Sequence, residues 1–150
     1  MEQAIRELLD TADDAEHAEF PPRFDWAALR ERVVLLQTEL ERIAGRPFVL
    51  DDQVQDASFF ADLSIQRPGP QPNWIDTVFA VRFSNFGALF TTWCHCQTEQ
   101  LSEALVAALV AAVKEAGFRY VPPSALDEPY SGRHPGFAGA AWWMRFFDYQ

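Results

Sequence analysis

Residues 104–113, Ala-Leu-Val-Ala-Ala-Leu-Val-Ala-Ala-Val, are ten consecutive apolar side chains bounded by Glu103 and Lys114. The run is about half the ~20 residues that a membrane-spanning helix needs. At about 100° per residue, Leu101, Leu105, Ala108, Leu109 and Ala112 fall on one side. Val106, Val110 and Val113 continue that surface, leaving Glu103, Ala104, Ala107, Ala111 and Lys114 for a more open edge. An arc this wide needs more than one neighbour, so the run predicts a helix held between a sheet and another helix. Thr98 supplies an N-cap by type and Gly117 a left-handed stop, which sets the helix at 99–116.

The rest of the chain must provide that cover. Trp26, Leu29, Val33, Leu36, Leu40 and Ile43 recur at three- and four-residue intervals behind Asp25, a good N-cap, and ahead of Gly45 and Pro47. This pattern predicts a second long helix over 26–44. Residues 48–50 read as a short strand. Residues 54–66 alternate, with Ala57, Phe59, Ala61, Leu63 and Ile65 on one face and Asp56, Ser58, Phe60, Asp62 and Ser64 on the other. Residues 67–73 contain three prolines and read as a loop. Strands follow at 74–83 and 88–94, joined at Ser84-Asn85-Phe86-Gly87, where Asn and Gly tolerate a hairpin turn. A brief strand at 118–121, a helical turn at 124–128, a glycine-rich loop at 130–139 and a closing strand at 140–149 complete the order, although the aromatic run in 140–149 also fits a terminal helix.

With an amphipathic helix at 2–16, the order is α-α-β-β-β-β-α-β-β. Short connections make most of the strands antiparallel neighbours. The expected class is α+β: a twisted, mainly antiparallel sheet of about five to six strands, with two long helices on one face and a single core. Its second face, carrying Asp56, Ser58, Asp62, Asp76 and Arg82, is expected to be mixed and partly wet. The whole of 1–150 reads as one α+β domain, a common size for a chain that is 49% hydrophobic and 14% aromatic.

The formal charge of −10 disfavours nucleic acid and anionic membranes and suits a basic partner. Residues 1–20, an expected acidic N-terminal helix, hold seven acids against Arg6. The N-terminus lacks the basic and apolar regions of a secretory signal, and two cysteines one residue apart give no disulfide framework. A cytoplasmic setting follows as the expectation. Arg makes up eleven of the twelve basic residues, which hints at a GC-rich bacterial genome.

Four groups of residues could carry chemistry. Cys94, His95 and Cys96 bring two thiols and an imidazole close together, but a structural zinc site needs a fourth ligand, and neither His17 nor His134 completes a spaced pair. No metal and no cofactor is expected. Tyr130, Arg133 and His134 lie on the glycine-rich loop and could line a small-molecule pocket or a minor active site, yet no phosphate-binding motif surrounds them. Asp56, Asp62 and Asp76 share one sheet face by alternation and could steer a basic partner, with Trp142 and Trp143 as aromatic anchors. Together these features favour a non-enzymatic, immunity- or adaptor-like protein-binding domain over a small-molecule site beside 130–139. Homodimerisation through an edge strand or an aromatic patch is compatible with either.

Overall fold

A computed structural model describes residues 1–149. The elements run α1 (Gln3–Ala12), α2 (Trp26–Ala44), β1 (Val49–Asp51), β2 (Phe59–Pro68), β3 (Ile75–Ser84), β4 (Leu89–Trp93), α3 (Glu103–Glu115), β5 (Arg119–Tyr120), α4 (Pro123–Leu126), a 3-10 turn (Pro135–Phe137) and α5 (Trp142–Phe146). One five-stranded sheet has the order β1-β2-β3-β4-β5. Its first three pairings are antiparallel, while β5 returns through α3 to lie parallel to β4. The class is α+β, as the alternation of the sequence implies.

Helix α2 forms where the sequence places it. The Asp25 side chain accepts from the Ala28 N–H at 3.0 Å, and Gly45, at φ +64°, closes the last turn by donating to the Glu41 carbonyl at 2.9 Å. Helix α3 is shorter than expected, because Ser102 rather than Thr98 caps it, accepting from the Leu105 N–H at 3.3 Å. Only Leu109, Ala112 and Val113 of the apolar run are fully buried, and Ala104, Ala107, Ala108 and Ala111 face solvent. Alanine exposes little apolar surface, so an open alanine stripe costs little.

Helices α2 and α3 lie together on one sheet face, where Val33, Leu36, Leu40, Leu109 and Val113 meet Leu63, Ile65, Val81, Phe83 and Phe90. The register sets which residues share that face. Leu50, Leu63, Val81 and Thr92 form one cross-strand row, and Asp51, Asp62, Arg82 and Thr91 form the adjacent row on the opposite side. A register shift between Phe59 and Ala61 reverses the expected faces of the two phenylalanines. Phe60 joins the helix-side core, whereas Phe59 meets Tyr149 at 5.3 Å and the Arg82 guanidinium at 3.8 Å. One inserted residue at a bulge turns the strand over, which simple alternation cannot register.

The second sheet face departs most from expectation. It is covered rather than wet, and a second apolar cluster forms there instead of the single core foreseen. Leu9, Phe86, Leu89, Val121, Leu126, Tyr130, Trp142, Phe146 and Phe147 build it. The expected closing strand at 140–149 is instead α5 followed by a short extended end. Trp142, Arg145 and Phe146 are buried at helical spacing, and the rings of Trp142 and Phe146 stack at 5.7 Å with 8° between their planes. Beyond α5, the Ser58 N–H donates to the Asp148 carbonyl at 2.9 Å and Ala57 bridges Tyr149, so residues 147–149 strap the sheet at its β2 end.

Helix α1 also stops earlier than the pattern at 2–16 suggests. Asp13 leaves the helix in an extended conformation, and Asp14 turns the next residues by accepting from the N–H groups of Glu16 and His17 at 2.8 and 2.9 Å. The chain can then present Asp13 to the second core. Residues 54–58 likewise lie outside β2, which continues instead through Pro68 into the stretch expected to be loop.

Candidate functional site

The linker between α1 and α2 stands against the loop that precedes β2. Pro21 and Pro22 remove two backbone donors and keep this linker from joining the flanking helices. The Phe24 N–H turns back to the Pro21 carbonyl at 3.0 Å. Between linker and loop lies a cleft of about 400 Å³, whose walls include Phe20, Phe24 and Trp26 on one side and Asp56 on the other. Phe20 and Phe24 stack at 6.1 Å, and Phe24 continues to Phe60 of the core at 5.9 Å. The two outer rings remain open, with Phe20 52% and Trp26 43% exposed.

Asn85 ties the two walls together. Its Nδ2 donates to the Glu19 carbonyl at 2.8 Å and to the Ala57 carbonyl at 2.9 Å, so one amide fixes both linker and loop. Those two bonds also fix which side-chain atom is oxygen. Asn85 is only 7% exposed, and its Oδ1 is buried with no hydrogen-bond partner. An orphaned acceptor of this kind costs about 1–3 kcal/mol.

The cleft is acidic. Glu19 and Asp56 line it and are exposed, and Asp56 holds a left-handed conformation at φ +51°. The Arg30 guanidinium lies 5.6 Å from the Trp26 ring, but its charge is taken by Asp52 at 2.5 Å. Open aromatic faces beside uncompensated carboxylates attract cations.

The other sequence-selected residues fall elsewhere. Asp62 is buried on the second sheet face, where Arg82 donates to it from Nε at 2.9 Å and from Nη2 at 2.7 Å. Burial raises the Asp62 pKa above the ordinary carboxylate value despite the opposing bonds and charge of Arg82. Asp76 accepts from the Trp74 indole at 2.9 Å and lies 3.6 Å from Arg67. The three aspartates therefore belong to three different settings, and Asp56 alone stands open. Trp142 is fully buried and presents no ring to a partner. Trp143 is half-buried beside Trp93, with the Arg82 guanidinium 5.7 Å from its ring.

Of Tyr130, Arg133 and His134, Tyr130 turns its side chain onto the Asp13 carboxylate, while Arg133 and His134 contribute backbone N–H groups and the His134 ring faces Phe137. The Tyr130 hydroxyl donates to Asp13 Oδ2 at 2.7 Å while accepting from the His134 N–H at 2.6 Å, and the Arg133 N–H donates to the same carboxylate oxygen at 2.6 Å. Arg145 completes the cage at 2.6 Å. Burial by itself pushes the Asp13 pKa up, but the bonds from Arg133, Tyr130 and Arg145 together bring it below the usual value. Burial, reinforced by the Asp13 carboxylate, raises the Tyr130 phenol to about 12. These residues clamp the N-terminal segment to the C-terminal one.

Cys94, His95 and Cys96 line a separate cleft of about 750 Å³ with Arg67 and Asp76. The Cys96 thiol lies 3.5 Å from the Thr98 hydroxyl, and this bond holds its pKa below the ordinary thiol value. Among the described residues, no group of three His, Cys, Asp or Glu side chains is arranged to hold a metal ion. No described helix is long and apolar enough to cross a membrane.

The linker aromatics were hidden from pattern reading. Trp26 looks like an ordinary position of an amphipathic helix, Phe20 sits in a proline-broken stretch, and Asn85 reads as a turn residue. The one available signal was the cluster of three aromatics, Phe20, Phe24 and Trp26, within seven residues of a polar linker. The fold and cleft define an α+β domain with an acidic, aromatic surface site. No protein-family model, curated protein or solved structure matches the chain.

Proposed function

We propose that this chain is a non-enzymatic, immunity- or adaptor-like binding domain whose partner is a basic protein, engaged through the cleft between the α1–α2 linker and the loop before β2. The observation that carries this reading is the pairing of two open aromatic rings, Phe20 and Trp26, with two exposed carboxylates, Glu19 and Asp56. Exposed tryptophan is a frequent anchor of protein interfaces, and carboxylates beside it select a partner of opposite charge. The net charge of −10 steers such a partner from a distance and opposes nucleic acid. Two free cysteines suit a reducing, cytoplasmic compartment.

The test is association with a panel of small basic proteins, measured at roughly 20 and roughly 300 mM salt, across which screening of exposed charges strengthens severalfold. The expected outcome is binding to one or more members that weakens with salt. Glu19→Gln combined with Asp56→Asn should weaken it much further than Asp10→Asn combined with Glu16→Gln, although both pairs remove the same charge. Equal weakening by the two pairs, or no association with any basic protein, would overturn this use of the cleft.

A further inference from the structure

We infer that Cys94 and Cys96 form a reversible thiol–disulfide site, oxidised by a small disulfide of the glutathione type that enters at Cys94. Cys94 is exposed and Cys96 buried, and both line the cleft of about 750 Å³ between the tip of the β2–β3 hairpin and the segment after β4. The backbone between them is bent. The N–H groups of His95 and Cys96 both donate to the Thr77 carbonyl at 2.9 Å, whereas successive N–H groups of an extended strand point to opposite edges. Two residues of strand span about 6.6 Å, near the upper limit for a disulfide, whose Cα atoms lie about 4.4–6.8 Å apart. The bend shortens that span into the bridging range.

The two thiols stand in different settings, which divides the work between them. Arg67 Nη2 donates to the Thr98 hydroxyl oxygen, so the hydroxyl proton is directed to the Cys96 sulfur 3.5 Å away. That bond, helped by the Thr98 and Glu99 N–H groups and the Arg67 charge, outweighs burial and favours the Cys96 thiolate. Cys94 is the thiol that a dissolved disulfide can reach. In the first step its thiolate attacks one glutathione sulfur, forming a mixed disulfide and releasing a glutathione thiolate. In the second the Cys96 thiolate attacks the Cys94 sulfur, closing the bridge and releasing the other glutathione thiolate. Two protein thiols are oxidised, one glutathione disulfide is reduced to two glutathione molecules, and the two thiol protons pass to the released thiolates. Excess glutathione reverses both steps.

The test treats the full chain with glutathione disulfide, alkylates the thiols that remain and maps the products by peptide mass. The expected product is a bridge between Cys94 and Cys96 that excess glutathione reopens. Cys96→Ala should stop at a glutathione adduct on Cys94, and Cys94→Ala should leave Cys96 unmodified over the same period. Thr98→Val should slow the closing step about threefold with the first step unchanged, because fewer Cys96 sulfurs are ionised and a more basic thiolate recovers only part of the rate. A wild-type chain that stops at the Cys94 adduct, that links only to a second copy, or that alkylates fully at both cysteines would overturn the inference. Those wild-type outcomes do not depend on how the variants fold. Equal closing rates in the wild type and Thr98→Val would overturn the part assigned to Thr98.

Discussion

Asp13 and Arg145, 132 positions apart in the chain, meet at 2.6 Å with both side chains wholly out of solvent. Arg145 gives three further N–H donors to the Ala18, Asp14 and His17 carbonyls, and its guanidinium lies 4.2 Å from the Phe86 ring. One cation thus organises both the turn after α1 and the aromatic layer beneath it.

Removing one member of this pair leaves the other charge buried. Asp13→Asn and Arg145→Met are each expected to lower stability by about 3–5 kcal/mol, and the double variant to lose less than the sum of the two. Urea unfolding monitored by circular dichroism measures all three. Additive losses would show that the two side chains act independently.

Asp13 and Asp62 impose opposite pH dependences. The folded pKa of Asp13 lies below its unfolded value of about 3.9, so its contribution is complete above that pH and is lost as the pH falls through the folded value. For Asp62 the folded pKa is raised. Its contribution is therefore present below about 3.9 and lost as the pH rises through the folded value. Urea midpoints taken from about pH 3 to about pH 7 should lose part of their acid-side decline in Asp13→Asn and part of the decline above about pH 4 in Asp62→Asn. Curves parallel to the wild type would contradict both assignments.

Tyr130 is expected to ionise at about 12, pushed up by burial and by the Asp13 carboxylate it bonds. Its folded pKa exceeds the unfolded value of about 10, so the stability linked to it is complete below that pH and disappears as the pH rises through the folded value. Ultraviolet titration of phenolate absorbance reads this ionisation, and Tyr130→Phe should remove the step at about 12. A step at about 12 that persists in Tyr130→Phe would sink the assignment.

Two glycines separate backbone strain from steric strain. Gly45 and Gly87 hold φ values of +64° and +60°, but a Cβ on Gly45 meets nothing, whereas one on Gly87 would lie 2.9 Å from Ala12 Cβ and 2.7 Å from Arg119 Nη2. Gly45→Ala should lose about 1 kcal/mol, the penalty of a left-handed non-glycine residue. Gly87→Ala should lose about 2–4 kcal/mol once overpacking against α1 is added. Equal thermal shifts would mean that α1 yields to the new methyl group without resistance.

How far the fold could be read from sequence varies with how many local signals agree. In α2, cap, apolar period and glycine stop coincide, and both boundaries are legible. In 140–149 nearly every side chain is apolar or aromatic, so periods of two and of three to four fit equally well. The need of Arg145 to reach Asp13 decides between them, and that pairing spans almost the whole chain. The same distance hides Asp13, which looks like one more solvated acid in an acidic helix. At the candidate site, Asp56 was legible as an exposed acid, but its aromatic partners were not. Their faces come together only when a proline-broken linker is drawn against the β2 loop by Asn85.

The clamp between Asp13 and the segment from Tyr130 to Arg145 also orders events in time. As the chain leaves the ribosome, α2 and β1 to β4 can begin to assemble from neighbours in sequence, but the turn after α1 must wait more than a hundred residues for its counter-charge. Until then Leu9 lacks the Trp142 and Phe146 layer that later encloses its core, and Asp13 keeps its water. Helix α1 emerges ahead of α2 yet is among the last elements to be seated, and its acidic surface helps keep the waiting segment in solution.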